Sequence, residues 1–220
     1  TPKFGGTMLD TSLVIGTKGQ WENDINYDVN IYLGENEIDF VIANTINPSL
    51  GPNTPREFKP GKYIQTEKSL NFDVSKPFDN MNLAAGLEYR NEHYEQIAGD
   101  PKSWEVGPLA SQGFGIGSNG FPGLSAKSAG KAGRHSYAGY VDIEYNVSDD
   151  WLVSFALRYE DFSDFGNTTK GKLATHYSLN DEWSLRGAFA TGFKAPTIGQ
   201  NNVRNVTTAF NGDGDLIDRA

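Results

Sequence analysis

Residues 148–159 read SDDWLVSFALRY, and residues 180–191 read NDEWSLRGAFAT. Each stretch is an acidic turn followed by a tryptophan, Trp151 or Trp183, and then by a segment that is apolar at every second residue. Alternation of this kind predicts a β-strand with one apolar face. Repetition of such strands after tight turns is typical of a transmembrane β-barrel, in which alternate residues face lipid.

The same alternation predicts eight strands along the chain. The clearest pattern lies at 135–147, where Tyr137, Val141 and Ile143 share one face and Asp142 shares the other with Glu144. Several strands run to about nine residues or more, the length that crosses a bilayer when a strand is tilted. The predicted strands cover about 8–17, 21–33, 63–75, 81–97, 135–147, 151–160, 169–179 and 183–193.

The connections between these strands differ in length. Those that follow the first, third, fifth and seventh strands are short. Of the others, one is short, two are long (about 43–62 and 98–134), and the segment 194–220 follows the last strand. Outer-membrane barrels have short periplasmic turns and long extracellular loops, so we expect the three long segments to be extracellular. Residues 1–220 are therefore predicted to be one all-β domain, an antiparallel up-and-down segment of a transmembrane β-barrel.

Three tryptophans follow short turns and open the next predicted strand, which places them at one edge of the sheet. They are Trp21, Trp151 and Trp183. Aromatic residues form girdles at the membrane–water interfaces of outer-membrane barrels. We therefore predict that these three side chains form an interfacial girdle.

Composition limits the classes of function. The net charge of -9 argues against nucleic acid as a partner. The absence of cysteine excludes disulfides, thiolate catalysis and cysteine-bound zinc. No stretch of the chain approaches the roughly 20 apolar residues of a transmembrane helix. The sequence also has no recognisable nucleophile elbow, so we predict neither enzymatic chemistry nor a cofactor.

One acidic segment near the end of the chain has some of the spacing of a calcium loop. Its oxygen ligands would come from Asn211, Asp213, Asp215 and Asp218. The EF-hand pattern requires glycine where Leu216 stands and a later bidentate glutamate, and the sequence has neither. An acidic surface turn is the simpler interpretation, and a calcium site is the alternative.

Four stretches of the chain resemble segments of TonB-dependent outer-membrane receptors. Residues 85–94 read AGLEYRNEHY and resemble the GxEYRxExY strand of that family, and residues 157–166 read LRYEDFSDFG and resemble RYEDYSDFG. Residues 186–197 read RGAFATGFKAPT and resemble RGSxSTGFRAPSL, and residues 44–51, NTINPSLG, resemble a loop segment of the family. The segments follow one another in the family's order and cover most of residues 20–200.

The resemblance implies a barrel of about 22 strands with a plug in its lumen. Such receptors lie in the outer membrane of Gram-negative bacteria and import iron–siderophores, cobalamin or oligosaccharides, with energy from the TonB–ExbB–ExbD complex. We expect this chain to be a middle part of such a barrel, without plug or TonB box. Its partners would then be outer-membrane lipid, the rest of the barrel, the plug and a small ligand such as a metal chelate.

A polar lumen accounts for charged side chains opposite the apolar faces of the strands. These charges are Glu67, Asp73, Asp142, Glu144, Arg158 and Arg186. The long segments add aromatic and cationic groups that we predict to contact the ligand. These groups are Trp104, Phe114, Phe121, Arg134, Lys194 and Arg204. Packing within the loops, or contact with lipopolysaccharide, is the alternative role for this second set.

Two other readings of the chain stay open at this point. The first is a self-contained eight-stranded outer-membrane barrel with a structural or adhesive role. The crowded charge that would fill its interior argues against it. The second is a soluble all-β enzyme or carbohydrate-binding module, because soluble β-sandwiches also alternate. Their strands usually run about 5–6 residues, shorter than several strands here.

Overall fold

The computed structural model describes residues 1–210 and 215–219, and eight of its strands form one antiparallel sheet. The strands follow one another in the sheet in chain order, so the predicted up-and-down, all-β arrangement is confirmed. They are β1 (Lys3–Gln20), β2 (Asn26–Ala43), β3 (Glu57–Pro77), β4 (Met81–Ala98), β5 (Gly130–Ser148), β6 (Trp151–Phe162), β7 (Gly166–Ser178) and β8 (Ser184–Ala190).

The remaining elements are small and belong to the connections. One α-helix, α1 (Ile198–Asn202), and a hairpin of β9 (Thr207–Phe210) and β10 (Leu216–Arg219) follow β8. Short 3-10 helices lie between β2 and β3 and between β4 and β5, at Pro48–Asn53, Pro101–Ser103 and Ala110–Gln112. Within the described ranges, no helix combines the length and apolarity that crossing a membrane would need.

The connections give the sheet two different ends. At one end, which we call the short-turn end, a few residues join β1 to β2, β3 to β4, β5 to β6 and β7 to β8. At the opposite, long-loop end, residues 44–56 join β2 to β3 and residues 99–129 join β4 to β5. Both loops are shorter than predicted, because the flanking strands continue beyond the predicted limits.

One face of the sheet carries a band of exposed apolar side chains toward the short-turn end. We call this face the outer face and the opposite one the inner face. In the middle strands, Leu70, Leu87, Tyr137 and Leu173 are between 47% and 64% exposed although they lie inside an eight-stranded sheet. Large apolar side chains exposed over several neighbouring strands indicate a surface that meets lipid or protein.

The inner face carries the charges that the alternation assigned to it. Arg90 lies 2.8 Å from Glu88 and 3.5 Å from Glu67. Arg158 lies 2.9 Å from Glu160 and 3.4 Å from the same Glu88. Because each cation stands between two carboxylates, these five side chains form one continuous network across β3, β4 and β6.

The two faces exchange character toward the long-loop end. On β2, the outer face continues from the apolar band into Glu35, Glu37 and Asp39, whereas the inner face becomes apolar at Phe40 and Ile42. Ile42 is 1% exposed. The long loops cover the inner face there, so apolar residues move inside while charges move outside. The predicted strands were too short because, at this level, the outer-facing residues become charged and the inner-facing residues become apolar.

β1 and β8 stand at the two ends of the strand order, and each pairs on one side among the strands that the structure describes. All residues of β1 are exposed, and so are all residues of β8. The eight strands therefore form an open sheet in this structure. They do not close into the small barrel of the first alternative reading.

Candidate functional site

Two long loops are interlocked at the long-loop end by one buried amide. Asn47, from the loop 44–56, is 0% exposed. Its Nδ2 donates to the carbonyl oxygens of Lys102 and Glu105, each at 3.0 Å. Its Oδ1 accepts from the Ser49 hydroxyl at 2.7 Å and from the Gly117 backbone N–H at 3.1 Å. A fully satisfied amide of this kind joins the two loops into one body.

Aromatic rings dock the loop 99–129 onto the inner face. The Phe121 ring lies 4.8 Å from that of Phe4 and 5.9 Å from that of Phe40. Tyr63 meets Phe40 edge to face at 5.2 Å. These centroid distances are typical of favourable aromatic pairs. The loop is therefore held over β1 to β3 by a cluster that the sequence pattern did not reveal.

A third segment, residues 191–206, follows β8 and folds back onto the inner face. We call it the strap. Its helix α1 contacts β4 and β5, three strands or more away from β8 in the sheet. Ile198 of the strap is 1% exposed. Gly199 lies so close to Tyr94 that a Cβ at this position would stand 3.3 Å from the ring.

Arg134 links the strap to the inner face of the sheet. It lies on β5 directly opposite Glu92 of β4, and both side chains are buried. Its Nε and one terminal nitrogen donate to Glu92 Oε2 at 3.0 and 2.8 Å. The other terminal nitrogen donates to the Pro196 carbonyl oxygen at 2.9 Å and lies 3.6 Å from Asp164 Oδ2. The planar fork of arginine allows this double engagement.

Uncharged polar side chains hold the far end of the strap. Gln96 of β4 donates to the Arg204 carbonyl oxygen and accepts from the Arg204 backbone N–H at 3.2 Å. The Ser128 hydroxyl accepts from the Val206 N–H at 2.9 Å, and the Ser125 hydroxyl donates to the Val206 carbonyl oxygen at 3.0 Å. An amide side chain offers a donor and an acceptor together. Gln96 therefore bonds both backbone groups of Arg204, as the backbone of a neighbouring strand would.

The start of the strap packs through aromatic and cationic groups. The Phe193 ring lies 5.8 Å from that of Phe165, and the Lys170 ammonium stands 4.9 Å above Phe193. Phe165 stacks on Phe162, and the Arg134 guanidinium lies within 6 Å of both ring centroids. These contacts join the two ends of the β6–β7 turn to the strap.

The predicted ligand contacts fall into different surroundings. Phe114, Lys194 and Arg204 are exposed at the long-loop end. Trp104 is half-buried and donates to the Gly99 carbonyl oxygen at 3.0 Å, and Phe121 is half-buried in the aromatic cluster. For all of these residues, ligand contact stays a prediction.

Arg134 differs from the other predicted contacts because its guanidinium is engaged within the protein. Its side chain is 4% exposed. The structure assigns it to the packing of the strap, and direct ligand contact by Arg134 would require the strap to move. No local pattern in the sequence marks Glu92 as the partner of Arg134, or Gln96 as the partner of Arg204, because the fold of β4, β5 and the strap brings these pairs together.

The calcium candidates are only partly within the described residues. Asn211 and Asp213 lie outside them, and Asp215 lies just before β10. Asp218 accepts hydrogen bonds from Lys127 and, at 2.7 Å, from Thr208. These two bonds hold the pKa of the Asp218 carboxyl below its ordinary value. Over residues 1–210 and 215–219, the structure forms no metal-binding group of three or more His, Asp or Glu side chains.

All three girdle tryptophans lie at the short-turn end. Trp151 opens β6, as expected, whereas Trp183 directly precedes Ser184, the first residue of β8, so the expectation that it opens the strand was wrong by one residue. Trp21 instead follows the last residue of β1 and begins the turn, so the expectation that it opens a strand was wrong. The backbone N–H of Trp21 donates to the Ile25 carbonyl oxygen at 2.9 Å across that turn. The three side chains are between 41% and 68% exposed, and their membrane role stays a prediction.

Comparison with known proteins agrees with this architecture. The family model described as "TonB dependent receptor-like, beta-barrel" matches residues 3–216. The solved structure of a mutant ferric enterobactin receptor, PfeA of Pseudomonas aeruginosa, is similar to the chain with a TM-score of 0.61 at 16% identity. The similarity covers 92% of this chain and 27% of that receptor. At this level of identity, the likeness to PfeA shows the fold.

Curated relatives are similar over parts of their length. The ferric enterobactin receptor PirA of Pseudomonas aeruginosa is 26% identical over 171 residues, which cover 76% of this chain and 21% of PirA. A probable TonB-dependent siderophore receptor of Acinetobacter baumannii, also named PirA, is 32% identical over 34% of the chain and 10% of its own length. The vitamin B12 transporter BtuB of Photobacterium profundum is 34% identical over 30% of the chain and 11% of its own length.

Proposed function

Because this chain belongs to the family of TonB-dependent receptor β-barrels of the Gram-negative outer membrane, we propose that it forms part of the wall of a receptor that imports a scarce nutrient. The chain spans about a fifth of the length of the first curated relative that it matches. The rest of the barrel would extend the sheet from β1 and β8, whose outer edges are unpaired among the described strands.

The observation that carries this proposal is the opposite chemistry of the two faces. The outer face bears an apolar band fit for lipid. The inner face bears the network from Glu67 to Glu160, and the loops at the long-loop end fold over this same face. A polar wall beneath inward-folded loops suits a lumen that receives a solute from the long-loop end. That end would then face the exterior of the cell.

The imported solute is proposed to be a ferric siderophore. Two of the similar receptors are named for ferric enterobactin, and a third is named as a siderophore receptor. A vitamin B12 transporter is also similar over part of the chain, so cobalamin is the natural comparison. Exposed cations on the strap, Lys194 and Arg204, suit an anionic chelate.

Transport would need partners beyond this chain. A plug inside the lumen would close the path, and the TonB–ExbB–ExbD complex would supply energy by acting on that plug. The barrel wall would bind and guide the solute without changing it chemically, so its role is that of a receptor and transporter rather than an enzyme.

The first experiment is an immunoblot of fractionated source cells with an antibody against this segment. We expect a band in the outer-membrane fraction at a mass several times that of this chain. A membrane band at the mass of the chain itself would support the small standalone barrel, and a band in the soluble fraction would overturn the proposal.

Uptake then tests the solute. Cells in which the gene is deleted, and the same cells with the gene restored, are given radiolabelled ferric enterobactin or radiolabelled cyanocobalamin. We expect energy-dependent accumulation of iron in the restored cells and none when the proton gradient is collapsed. Accumulation of cobalamin alone would overturn the siderophore assignment. If neither iron nor cobalamin accumulated, the result would count against the import of either solute.

A further inference from the structure

A cavity of about 250 Å³ opens on the inner face next to the start of the strap. Thr191, the first residue of the strap, lies at its rim and exchanges hydrogen bonds with the backbone of Gly171. Cations are prominent around the cavity, and no carboxylate of the described residues lines it. Its inner-facing side chains come from β5 to β8 and are Tyr140, Ala156, Arg158, Lys170, Lys172 and Ala190.

Small side chains and one leaning ring create this space. Lys172 pairs with Ala156 on one side and with Ala190 on the other, so alanines flank it on both neighbouring strands. Tyr140 leans toward β4 and away from β6, because its ring lies where a Cβ of Gly86 would stand. Ala156 therefore forms an apolar floor, and the longer cationic side chains stand around it.

Two of the three cations have no carboxylate partner. Within residues 1–210 and 215–219, neither Lys170 nor Lys172 forms an ion pair. The Lys170 ammonium donates to the Thr169 carbonyl oxygen at 3.3 Å and stands above the Phe193 ring. Asp142 lies in the same row of the sheet as Lys172, but Ala156 separates the two residues. The two ammonium groups thus attract an anion from outside the chain.

The inner face is acidic on one side of the cavity and basic on the other. Arg158 marks the boundary, because one of its terminal nitrogens engages both Glu88 and Glu160. An anionic solute is therefore repelled from β3 to β5 and attracted to β7 and β8. The inner-facing charges of β3 to β5 include Glu67, Asp73, Asp142 and Glu144, whereas those of β7 and β8 are Lys170, Lys172 and Arg186.

We propose that this cavity is an anion subsite on the wall of the lumen, where Arg158, Lys170 and Lys172 bind an acidic group of the imported solute, a carboxylate or a phenolate. The proposal rests on the proposed function and deepens it, because it assigns the charge of the solute and the side of the wall along which it passes. Guanidinium and ammonium groups both form strong, charge-assisted hydrogen bonds with anionic oxygens.

The size of the cavity favours the solute over an acidic side chain of the plug. A water molecule occupies about 30 Å³ in the liquid, so 250 Å³ corresponds to roughly eight water molecules. One carboxylate fills much less than this volume. The cavity instead suits a larger group that carries its anionic oxygens on a ring or a branched chain.

Further cations lie on both sides of the cavity along the wall. Lys194 is exposed and follows Phe193, the ring that Lys170 contacts. Arg186 is exposed on the inner face of β8, four residues nearer the short-turn end than Ala190. An acidic group that enters from the long-loop end would meet Lys194 first, then the cavity, and then Arg186.

Uptake by cells that carry the full receptor tests the subsite. Lys172→Gln removes one charge at similar length, and the double variant Lys170→Gln/Lys172→Gln removes both. With radiolabelled ferric enterobactin as the probe, we expect uptake per folded receptor to fall several-fold in the single variant and at least about tenfold in the double variant. Lys172→Arg, which keeps the charge, should import nearly as well as the unmodified receptor.

Lys18→Gln is the matched control. Lys18 also faces inward, opposite Asp28 on β2, but it lies outside the cavity. Its removal changes the net charge equally and should leave uptake unaltered. Unchanged uptake by the double variant would overturn the proposal. Uptake by Lys172→Arg as low as that by Lys172→Gln would also overturn it, because shape rather than charge would then matter.

Acylation of lysines on the purified full receptor tests the cavity apart from import. Acetic anhydride modifies accessible amines, and mass spectrometry follows each lysine. Citrate, a small tricarboxylate, is the probe, and glucose is the neutral comparison. We expect citrate, but not glucose, to slow acylation of Lys170 and Lys172 several-fold, while Lys18 reacts at the same rate throughout.

Equal acylation rates with and without citrate would overturn the anion subsite. If Lys170 and Lys172 were already unreactive without citrate while Lys18 reacted, an acidic group of the plug would fill the cavity, and the assignment to the solute would be overturned. Failure of the unmodified receptor to import ferric enterobactin would instead count against the proposed function. Protection of the two lysines would still decide the subsite in that case.

Discussion

Tyr140 donates its hydroxyl hydrogen to Asp73 Oδ1 at 2.7 Å, although β4 lies between the strands that carry them. The residue of β4 directly between them is Gly86, which pairs with both. A Cβ at Gly86 would stand 2.3 Å from Asp73 Oδ1 and 2.3 Å from Tyr140 Cε1. The bond therefore exists because the intervening strand has no side chain at this position.

Gly86→Ala should break this bond. The new methyl group would displace the Tyr140 ring or the Asp73 carboxylate, and we expect a loss of about 1–3 kcal/mol in the free energy of unfolding. Urea unfolding of the full receptor in lipid vesicles measures the change. Gly171→Ala is the control, because its Cβ would meet nothing closer than 3.7 Å. Equal unfolding midpoints for the two variants would contradict the account.

Asn47→Asp should separate the two interlocked loops. One carboxylate oxygen would keep the donors of Oδ1, but the other would replace Nδ2, could not donate to the carbonyl oxygens of Lys102 and Glu105, and would face them without a donor, which costs several kcal/mol. We expect a protease to cut residues 99–129 at least about tenfold faster than in the unmodified receptor. Asn53→Ala, an exposed position in the same loop, should leave the cutting rate unchanged. Resistance of Asn47→Asp to the protease would show that the aromatic cluster alone holds the loop.

Leu87→Arg should impair insertion into the membrane. Leu87 is 64% exposed in the middle of the outer apolar band, where a charged side chain costs about 2–4 kcal/mol in lipid. We expect less folded receptor in the outer membrane, measured by the heat-modifiable mobility of the barrel on a gel. Asn82→Arg, on the inner face of the same strand, should be tolerated. Equal tolerance of both variants would argue that the outer face does not meet lipid.

Acid should loosen the β9–β10 hairpin. Hydrogen bonds from Lys127 and then Thr208 lower the pKa of Asp218 from its ordinary value of 3.8. For a carboxyl group with a lowered pKa, the stabilisation is complete above the ordinary value and disappears as the pH falls through the lowered one. Amide exchange of residues 207–210, corrected for its intrinsic pH dependence, should therefore accelerate below about pH 4.

Asp218→Asn is the control for that titration. The amide carries no charge that protonation could remove, so exchange in the hairpin of this variant should be fast at neutral pH and should change little in acid. The same acid response in both proteins would assign the effect to another group.

The alternation of the sequence predicted the number and order of the strands in the eight-stranded sheet, but not their full length, and it did not predict the β9–β10 hairpin. On β2 the outer-facing residues are apolar up to Leu33 and charged from Glu35 to Asp39. A strand prediction that requires every second residue to be apolar therefore ends the strand at Leu33. The strand itself continues to Ala43, because the backbone ladder does not depend on which face is apolar.

The contacts of the site were less predictable. Arg134 could be singled out as a cation near a long loop, but its partner Glu92 is 42 residues earlier and meets it only through the register of β4 and β5. Asn47 stood within a segment that resembled the family, but the five hydrogen bonds of its side chain depend on how the loops place Ser49, Lys102, Glu105 and Gly117 around it. Side-chain roles of this kind follow from tertiary structure, which one sequence does not encode in local pattern.

Gln96 and Ser128 hold the strap through its backbone, and this has a consequence for how such receptors can diversify. Any residue with an ordinary N–H and carbonyl at position 204 would satisfy Gln96, and the same holds for Ser128 at position 206. The side chain of Arg204 is therefore free to change without loosening the attachment. A receptor built in this way could acquire specificity for a new nutrient through changes in the strap's side chains, while the attachment of the strap's backbone stays the same.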